Sequence, residues 1–506
     1  MDQLVLPLAD PKTPLVTIRC LGYARFLDRL ASADGRISAV LDGGVDAGSA
    51  LPRLAAAAGL TPAGESPVSG EIRYVPTLAA RERVGADQDG AWPSSLVSRH
   101  RKAIRRTRGV LLTFPLEDAA EADPPLEVFT TDWSPSPAAC AVAVHPGHPL
   151  SRGLGDGRTA AFTGRYCRHP LTGDLLPIWT AGWVKPEFGT GAVLVNPAHD
   201  PVDLAFGREI GLPVRFALHP SGRDDSPENW PVPPVVKTGT AVRTGPTDGL
   251  DFMSAQAEYF RILSTRGLAR EYTDYGTGSF TVATFTADGP GKVVWDEDRR
   301  TAATAEHPSA GGWVPVSAAA VLAVLDLPTH PSRLAVVGPS SVAESDLLAL
   351  RLLLAEPGLG PLAESAPDVL LVGTATGRTD GVEQDVLELA VLTAAAPQEV
   401  AALKPPHLET TQRFLAAHAA LAGVGAGPGG DDDPATVKVG GQVKALLRDN
   451  DTKQAFTHLY RLQKTLAKSE APPSSHVVVY ETLAWVVTGA PSRFPTERLR
   501  AVWASL

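Results

Sequence analysis

Hydrophobic and polar positions along this chain fall into several different rhythms, and each change of rhythm marks a change of architecture. "RLAVVGPSS", beginning at Arg333, reads as a buried strand ending in a glycine turn, "VAESDLLALRLLLAE" as a helix, and "DVLLVG" as a second buried strand. Together they form a βαβ unit, which implies a parallel sheet. Residues 1–98 mix short strand-like runs, "LVTIRCLGY" and "RISAVLDGG", with an Ala/Leu-rich helix around Leu51–Leu60, predicting a small α/β unit. From Leu126 to Tyr275 the chain is rich in Pro, Gly and β-branched residues. Its short strands "LEVFTT", "CAVAVH", "TAAFTG" and "TGAVLV" predict a compact β-rich domain. After Asp385 the patterning is helical to the end, interrupted by "GVGAGPGGDDDP", residues 423–434, a flexible polar linker. Within it Phe456, Leu459, Leu462 and Leu466 recur at helical spacing and predict a helix that buries one face.

These rhythms divide the chain into residues 1–98, a basic connecting segment at 99–125, the β-rich domain at 126–275, a parallel-sheet segment at 276–384 and a helical domain at 385–506. A length of 506 residues suits about three or four domains of roughly 100–200 residues each. Hydrophobic residues make up 44% and charged ones 20%, so most of the chain is expected to fold. No apolar run approaches the roughly 20 residues of a membrane span, and "MDQLVLPLAD" lacks a basic region followed by an apolar core, so a cytoplasmic protein without membrane contact is expected. Cys20, Cys140 and Cys167 form no C-x-x-C pair and read as ordinary thiols, not as a disulfide framework or a zinc site.

The net charge of −10 argues against evenly spread contact with nucleic acid, but the mean hides a patch. "RHRKAIRRTR", residues 99–108, holds six Lys/Arg in ten positions. As a helix it would set Arg101 with Arg105, and Lys102 with Arg106, on one basic face. That face is either solvated or a phosphate contact.

The most informative stretch is "EFGTGAVLVNPAHDPVDLAFGREIGLPVRFAL", residues 187–218: a glycine turn, a buried strand, an acidic loop and a helix. It places His199, Asp200 and Asp203 at one helix entrance. Either aspartate there can serve as an N-cap or a helix-dipole partner, and a lone histidine can simply bond the backbone.

Residues 169–214, "HPLTGDLLPIWTAGWVKPEFGTGAVLVNPAHDPVDLAFGREIGLPV", closely resemble the editing domain of leucyl-tRNA synthetases, with its Gly-Thr-Gly-Ala-Val strand followed by Pro-x-His-Asp-x-x-Asp. "LEVFTT" and "HPL" at His148–Leu150 are similar to that domain's first strand and the segment after it. "IRRTRGVLLTFPLE", the βαβ unit from Arg333, "TTQRFLAAHAAL" and "DTKQAFTHLYRLQKTLAK" resemble the rest of the synthetase, so the resemblance covers about residues 100–506. It implies an α/β multidomain protein: a remnant Rossmann-like parallel sheet, an inserted β-rich editing-like (CP1) domain, and a C-terminal α-helical bundle like the anticodon-binding one.

Two elements of that family are missing. No equivalent is present of its Lys-Met-Ser-Lys-Ser loop or of its His-x-Gly-His element at the start of the nucleotide fold, and independently the turn Gly338-Pro339-Ser340-Ser341, with no G-x-G-x-x-G and no phosphate-loop lysine, does not indicate nucleotide binding. "HPGH", residues 145–148, matches His-x-Gly-His by letters but lies inside the editing-like region, and reads as coincidence. Without cationic groups on the ATP phosphates, adenylate formation loses its main stabilisation. The chain is therefore expected not to charge tRNA, and no cofactor or metal is implied.

The resemblance further implies that Asp203 holds the aminoacyl α-ammonium and that Thr130 and Thr131 lie beside the terminal ribose and the ester carbonyl. Where editing enzymes read Thr-Thr-Arg-Pro-Asp-Thr, this chain reads Thr130-Thr131-Asp132-Trp133-Ser134-Pro135. Asp132 replaces the arginine. Pro135 replaces the threonine that excludes leucine, so the barrier against leucine is expected to be absent. Backbone N–H groups near Gly189, Thr190 and Gly191, or near Asp132–Ser134, are candidates for an oxyanion contact, and His199 or Asp200 for accepting a proton. Unrestrained hydrolysis of Leu-tRNA would harm the cell, whereas an amine held near the ester would capture the acyl group. The leading expectation is an aminoacyltransferase that moves leucine from Leu-tRNA to a small-molecule amine, as in synthetase-like proteins associated with peptidyl-nucleoside antibiotics such as blasticidin S. A free-standing editing hydrolase and a non-catalytic tRNA-binding protein are the alternatives.

Overall fold

The computed structural model describes residues 2–7, 14–40, 45–46, 61–62, 71–87, 92–119, 125–151, 160–219, 239–284, 292–293, 331–340, 344–359, 368–377, 379–421, 434–469 and 472–506. The expected helix at Leu51–Leu60 and residues 423–433 of the expected linker lie outside them.

In chain order, the elements that position the site begin with β1 (Gln3–Pro7), α1 (Pro14–Ala33), β2 (Ser38–Val40), α2 (Leu78–Gly85) and α3 (Ser94–Ala103). The β-rich part follows: β3 (Arg105–Phe114), β4 (Leu126–Thr130), β5 (Ala141–Val144), β6 (Ala161–Arg168), β7 (Leu175–Thr180), β8 (Ala192–Val195), α4 (Pro201–Ile210), α5 (Phe252–Thr265) and β9 (Ala269–Gly276). Then come β10 (Arg333–Pro339), α6 (Glu344–Leu354), β11 (Asp368–Val372), and the helices α7 (Gln384–Thr393), α8 (Pro405–Leu421), α9 (Pro434–Arg448), α10 (Thr452–Leu466), α11 (Ser474–Thr488) and α12 (Thr496–Ser505).

The architecture is α/β and multidomain, with a parallel Rossmann-like sheet, a mixed β-rich region and a C-terminal helical bundle. The parallel sheet has the order β11-β10-β1-β2. Its strands come from both sides of the β-rich region, which is thus an insertion between two halves of one sheet. Residues 1–98, read from sequence as a unit of their own, contribute β1 and β2 to this shared sheet.

Burial on both faces explains the continuous apolar run of β10, where every residue after Arg333 is buried. One core cluster joins the sheet to the bundle: Val5, Tyr23, Phe26 and Val337 pack with Leu459, Tyr480 and Trp503. Arg19 on α1 is fully buried, and its guanidinium donates to the carbonyls of Gly373, Ala396 and Glu399 at 3.0, 2.7 and 2.6 Å. Burial lowers its pKa, but these loop carbonyls solvate the charge in place of water. Phe456, Leu459 and Leu466 are buried and Leu462 packs against the same core, as the spacing predicts.

The β-rich region contains a four-stranded sheet of order β8-β5-β7-β6 and a three-stranded ribbon of order β9-β3-β4. Val110, Leu112 and Phe114 of β3 share a core with Val142 and Val144 of β5 and Tyr259 and Leu263 of α5, fixing the ribbon on the sheet.

Three sequence expectations are corrected. "LVTIRCLGY" lies within helix α1, not in a strand; Pro14 is well placed at its first turn, and burial of Leu15, Val16, Cys20, Tyr23 and Ala24 overrides the strand preference of Val16, Thr17 and Ile18. The basic segment is not one helix: α3 ends at Ala103, Ile104 is extended and buried, and Arg105 begins β3 in register with Gly276. The buried apolar run Val110–Leu112 and the eight-residue pairing of β3 with β9 win over helix continuation. The C-terminal region also contains a strand, Ala401–Leu403, paired in parallel with Ala375–Gly377. Among the described residues no helix is long and apolar enough to cross a membrane.

Candidate functional site

β5 and β8 form an antiparallel pair, with Val144 opposite Ala192 and Ala141 opposite Val195. The residues singled out by sequence fall at its two ends.

At one end is the Gly189-Thr190-Gly191 turn. Gly189 and Gly191 have φ of 53° and 72°, a left-handed conformation that a side chain disfavours. A Cβ on Gly189 would also meet Phe129 Cβ at 2.6 Å. Thr190 Oγ1 donates to Glu127 O at 2.6 Å, tying the turn to β4, and Gly191 N donates to Phe188 O at 3.1 Å. Arg81 of α2, itself buried, donates to the carbonyls of Glu187 and Gly189 and pairs with Asp274 of β9 at 2.8 Å. The glycines thus serve a clamped turn that joins three elements. His145 and His148 of "HPGH" line a cavity of about 240 Å³ beside this turn. Their Nδ1 atoms accept from Gly147 N and Leu150 N, and burial lowers both pKa values. They follow β5, inside the β-rich region, and not β1.

At the other end is the entrance of α4. Asp200 is the N-cap, its Oδ1 accepting from Val202 N at 2.7 Å and Asp203 N at 3.1 Å. Asp203, 7% exposed, accepts from Asn196 N at 2.7 Å through Oδ2. Burial, reinforced by the charge of Asp200, pushes its pKa up to about 7 against the one favourable N–H of Asn196. It has no ion-pair partner among the described residues. His199 Nε2 accepts from Ala217 N at 3.2 Å, which puts the proton of the neutral ring on Nδ1, a buried atom without a partner among the described residues. Burial lowers its pKa to about 4, so it stays neutral near pH 7.

The two ends do not converge. Gly191 and Asn196 are five residues apart on an extended strand, roughly 17 Å at about 3.4 Å per residue. The Thr130–Pro135 segment starts beside the Gly-Thr-Gly turn, which touches Glu127 and Phe129, and the chain reaches the other end of β8 only after a 3-10 turn at Ser136–Ala138, where Cys140 N–H donates to Val195 O at 2.9 Å. Thr130 Oγ1 accepts from Asp132 N at 3.2 Å, and Trp133 N and Nε1 bond Gln256 Oε1 and O of α5 at 3.0 and 2.8 Å. These N–H groups, and that of Gly191, are therefore spent within the fold and not aimed at an oxyanion. Thr131 is exposed and Pro135 half-buried.

Thr131 and Trp133 border the larger cleft of this region, about 610 Å³, whose walls include Arg108, Phe260, Glu271 and Thr273. Sequence reasoning missed this cleft because its walls come from four separated segments; only "TTDW" was visible as part of a site.

The basic residues are dispersed. Arg101 pairs with Asp87, Arg105 lies 6.0 Å from the Phe188 ring, and Arg106 donates to Gly85 O and covers Tyr275, while Lys102 is exposed on α3. Cys20, Cys140 and Cys167 are buried and free, with burial pushing Cys140 and Cys167 up to about 11 and 12. Among the described residues no group of three or more His, Cys, Asp or Glu is arranged to hold a metal ion.

Residues 155–264 match the family described as leucyl-tRNA synthetase, editing domain. The chain is 32% identical over 228 residues to a leucine–tRNA ligase of Nitratidesulfovibrio vulgaris (strain DSM 19637 / Miyazaki F), covering 38% of this chain and 27% of that protein. It is 31% identical over 216 residues to the leucine–tRNA ligase of Acinetobacter baumannii (strain AYE), covering 37% of this chain and 25% of that protein. The match spans about a quarter of the length of these relatives. A solved structure of an Agrobacterium radiobacter K84 LeuRS in a ternary complex with tRNA and LeuAMS aligns with 100% of this chain and 85% of that one, at a TM-score of 0.42 and 14% identity. The chain is thus homologous to leucyl-tRNA synthetases and their editing domain.

Proposed function

We propose that this protein is a tRNA-dependent aminoacyltransferase that takes leucine from Leu-tRNA and joins it to the amine of a small molecule, of the kind found in peptidyl-nucleoside antibiotic intermediates. The observation that carries this reading is Asp203: a buried carboxylate without a cation among the described residues, in a segment homologous to an aminoacyl-tRNA editing domain. The α-ammonium of an aminoacyl ester would supply the missing charge and relieve the cost of burying the anion.

The surroundings favour an amine nucleophile over water. Activating water calls for a free base, but His199 spends its basic nitrogen on Ala217 N, and Asp203 is engaged once the ammonium binds. A neutral amine attacks an ester without such help. Pro135, in the position expected to exclude leucine, offers neither the hydroxyl nor the branched shape of threonine, which suits a leucyl donor.

The test is to incubate the protein with Leu-tRNA carrying labelled leucine, with and without a pool of small amines. Label in a new amide supports the transferase. Free leucine released equally in both arms would instead establish a deacylase, and label left on tRNA in both would leave a binding protein. Asp203→Ala should abolish transfer, and retained transfer would place the ammonium site elsewhere.

A further inference from the structure

The 610 Å³ cleft beside Thr131 has walls of two kinds. Trp133 and Phe260 supply aromatic surface, their rings 6.3 Å apart. Arg108 on β3 and Glu271 on β9 supply opposite charges on adjacent antiparallel strands. Because Thr273 is opposite Arg108 and Val110 is opposite Glu271, the two charged residues are diagonal neighbours on one face of the ribbon. Such neighbours lie roughly 7–8 Å apart, within reach of each other through long side chains. Yet they do not pair, and neither has another ion-pair partner among the described residues; both are exposed to the cleft's solvent. Elsewhere on the same ribbon charges do pair: Arg270 with Glu127 and Arg81 with Asp274. The volume falls in the range that takes a whole small molecule.

We infer that this cleft is the acceptor subsite, and that it takes a zwitterionic amine with a planar ring. The ring lies against Trp133 and Phe260, an acidic group meets Arg108, and the amine is held at Glu271 as its ammonium. This rests on the transferase reading, in which the ester lies beside Thr130 and Thr131. The ammonium gives one proton to solvent, its neutral nitrogen attacks the ester carbonyl carbon, and the second proton the nitrogen sheds is the one passed to the leaving oxygen. A C–N bond forms, the bond from that carbon to the ribose oxygen breaks, and the oxygen leaves with the electron pair and takes up a proton. Products are an amide and a free tRNA 3′ end; no oxidant or metal enters the balance.

The test uses the full chain without tRNA, titrated calorimetrically with L-tryptophan, tryptamine, 3-indolepropionate and L-leucine. These probes keep all three features or lack the acid, the amine or the ring. L-tryptophan is expected to bind tighter than each of the others by about tenfold, one charge-assisted contact or one ring contact apiece. Glu271→Gln should reduce L-tryptophan to the affinity of 3-indolepropionate, and Arg108→Gln to that of tryptamine. Both positions are exposed, so the fold is expected to tolerate the changes. Four probes that bind alike, a ranking unmoved by both variants, or no saturable binding would overturn the assignment. Transfer is read separately: an intact ranking with label passing only to water would sink the transferase reading while upholding the ligand class of the cleft.

Discussion

The carboxylate of Asp203 accepts a 2.7 Å hydrogen bond from the backbone N–H of Asn196, and among the described residues no cation accompanies that contact for this buried acidic side chain. The result is a group tuned by burial to titrate at about 7, where the charge of an incoming ammonium decides its state.

Stability should therefore fall as pH rises. Asp203 ionises near its ordinary 3.8 in the unfolded chain and at about 7 in the folded one. Between those values the folded state holds a proton that the unfolded state has lost, so the destabilisation grows through the interval and is complete above it. At roughly 1.4 kcal/mol per pH unit the penalty is capped at about 4 kcal/mol, and incomplete burial makes it smaller. Asp203→Asn is expected to raise Tm at pH 8 and to flatten the pH dependence between 4 and 7, while losing affinity for aminoacyl esters. Calorimetric melting of both proteins across pH checks this, and an unchanged slope would contradict it.

His199 is expected to be dispensable as a base. With its Nε2 accepting from Ala217 and its pKa near 4, it contributes no limb to the pH profile around neutrality. His199→Gln, which offers an oxygen at a similar reach, should leave the rate within about threefold. His199→Ala should cost roughly 1–3 kcal/mol of stability by leaving the Ala217 N–H unpaired. Urea titration and initial rates of the two variants separate the roles; a rate lost in both variants while the glutamine variant keeps its stability would assign chemistry to the ring.

Pro135 sets the outcome for leucine. Its φ of −81° and ψ of −6° suit any L residue, so Pro135→Thr should fold normally. The added methyl and hydroxyl should lower kcat/KM for leucyl esters by roughly tenfold or more against alanyl esters, the discrimination that one or two heavy atoms allow in a pocket. Competing the two labelled esters in one reaction measures the ratio directly, and an unchanged ratio would remove Pro135 from the specificity argument.

Arg81 and Asp274 form a buried pair, with side chains 2% and 0% exposed. Arg81→Ala should cost about 3–5 kcal/mol, since it strands the Asp274 charge, and should also release the carbonyls of Glu187 and Gly189. The double variant Arg81→Met with Asp274→Leu should recover a large part of that loss. Equilibrium unfolding of the single and double variants tests the pairing; additive losses would show that the two residues act independently.

The sequence alone determined the local elements whose patterns are strong and self-contained. The buried run of β10, the strand β11 (although only Val372 of it is buried), the strands Leu126–Thr130 and Ala192–Val195, the amphipathic helix of Phe456 and Leu459, and the helix entrance at Asp200–Asp203 were all legible, because periodicity and capping act over a few residues. Tertiary structure decided the rest. It turned Leu15–Tyr23 into helix, because a shared core outweighs the small strand preference of three β-branched residues. It split the basic segment between α3 and β3, because pairing with β9 supplies hydrogen bonds that Arg105–Phe114 cannot anticipate from its own pattern. It put β1 and β2 in one sheet with β10 across more than three hundred residues, and set the Gly-Thr-Gly turn and Asp203 at opposite ends of β8. The cleft of Arg108, Trp133, Phe260 and Glu271 belongs to the same class. Its walls are remote in sequence and meet only when strand pairing and burial bring them together, and no local pattern encodes such a meeting.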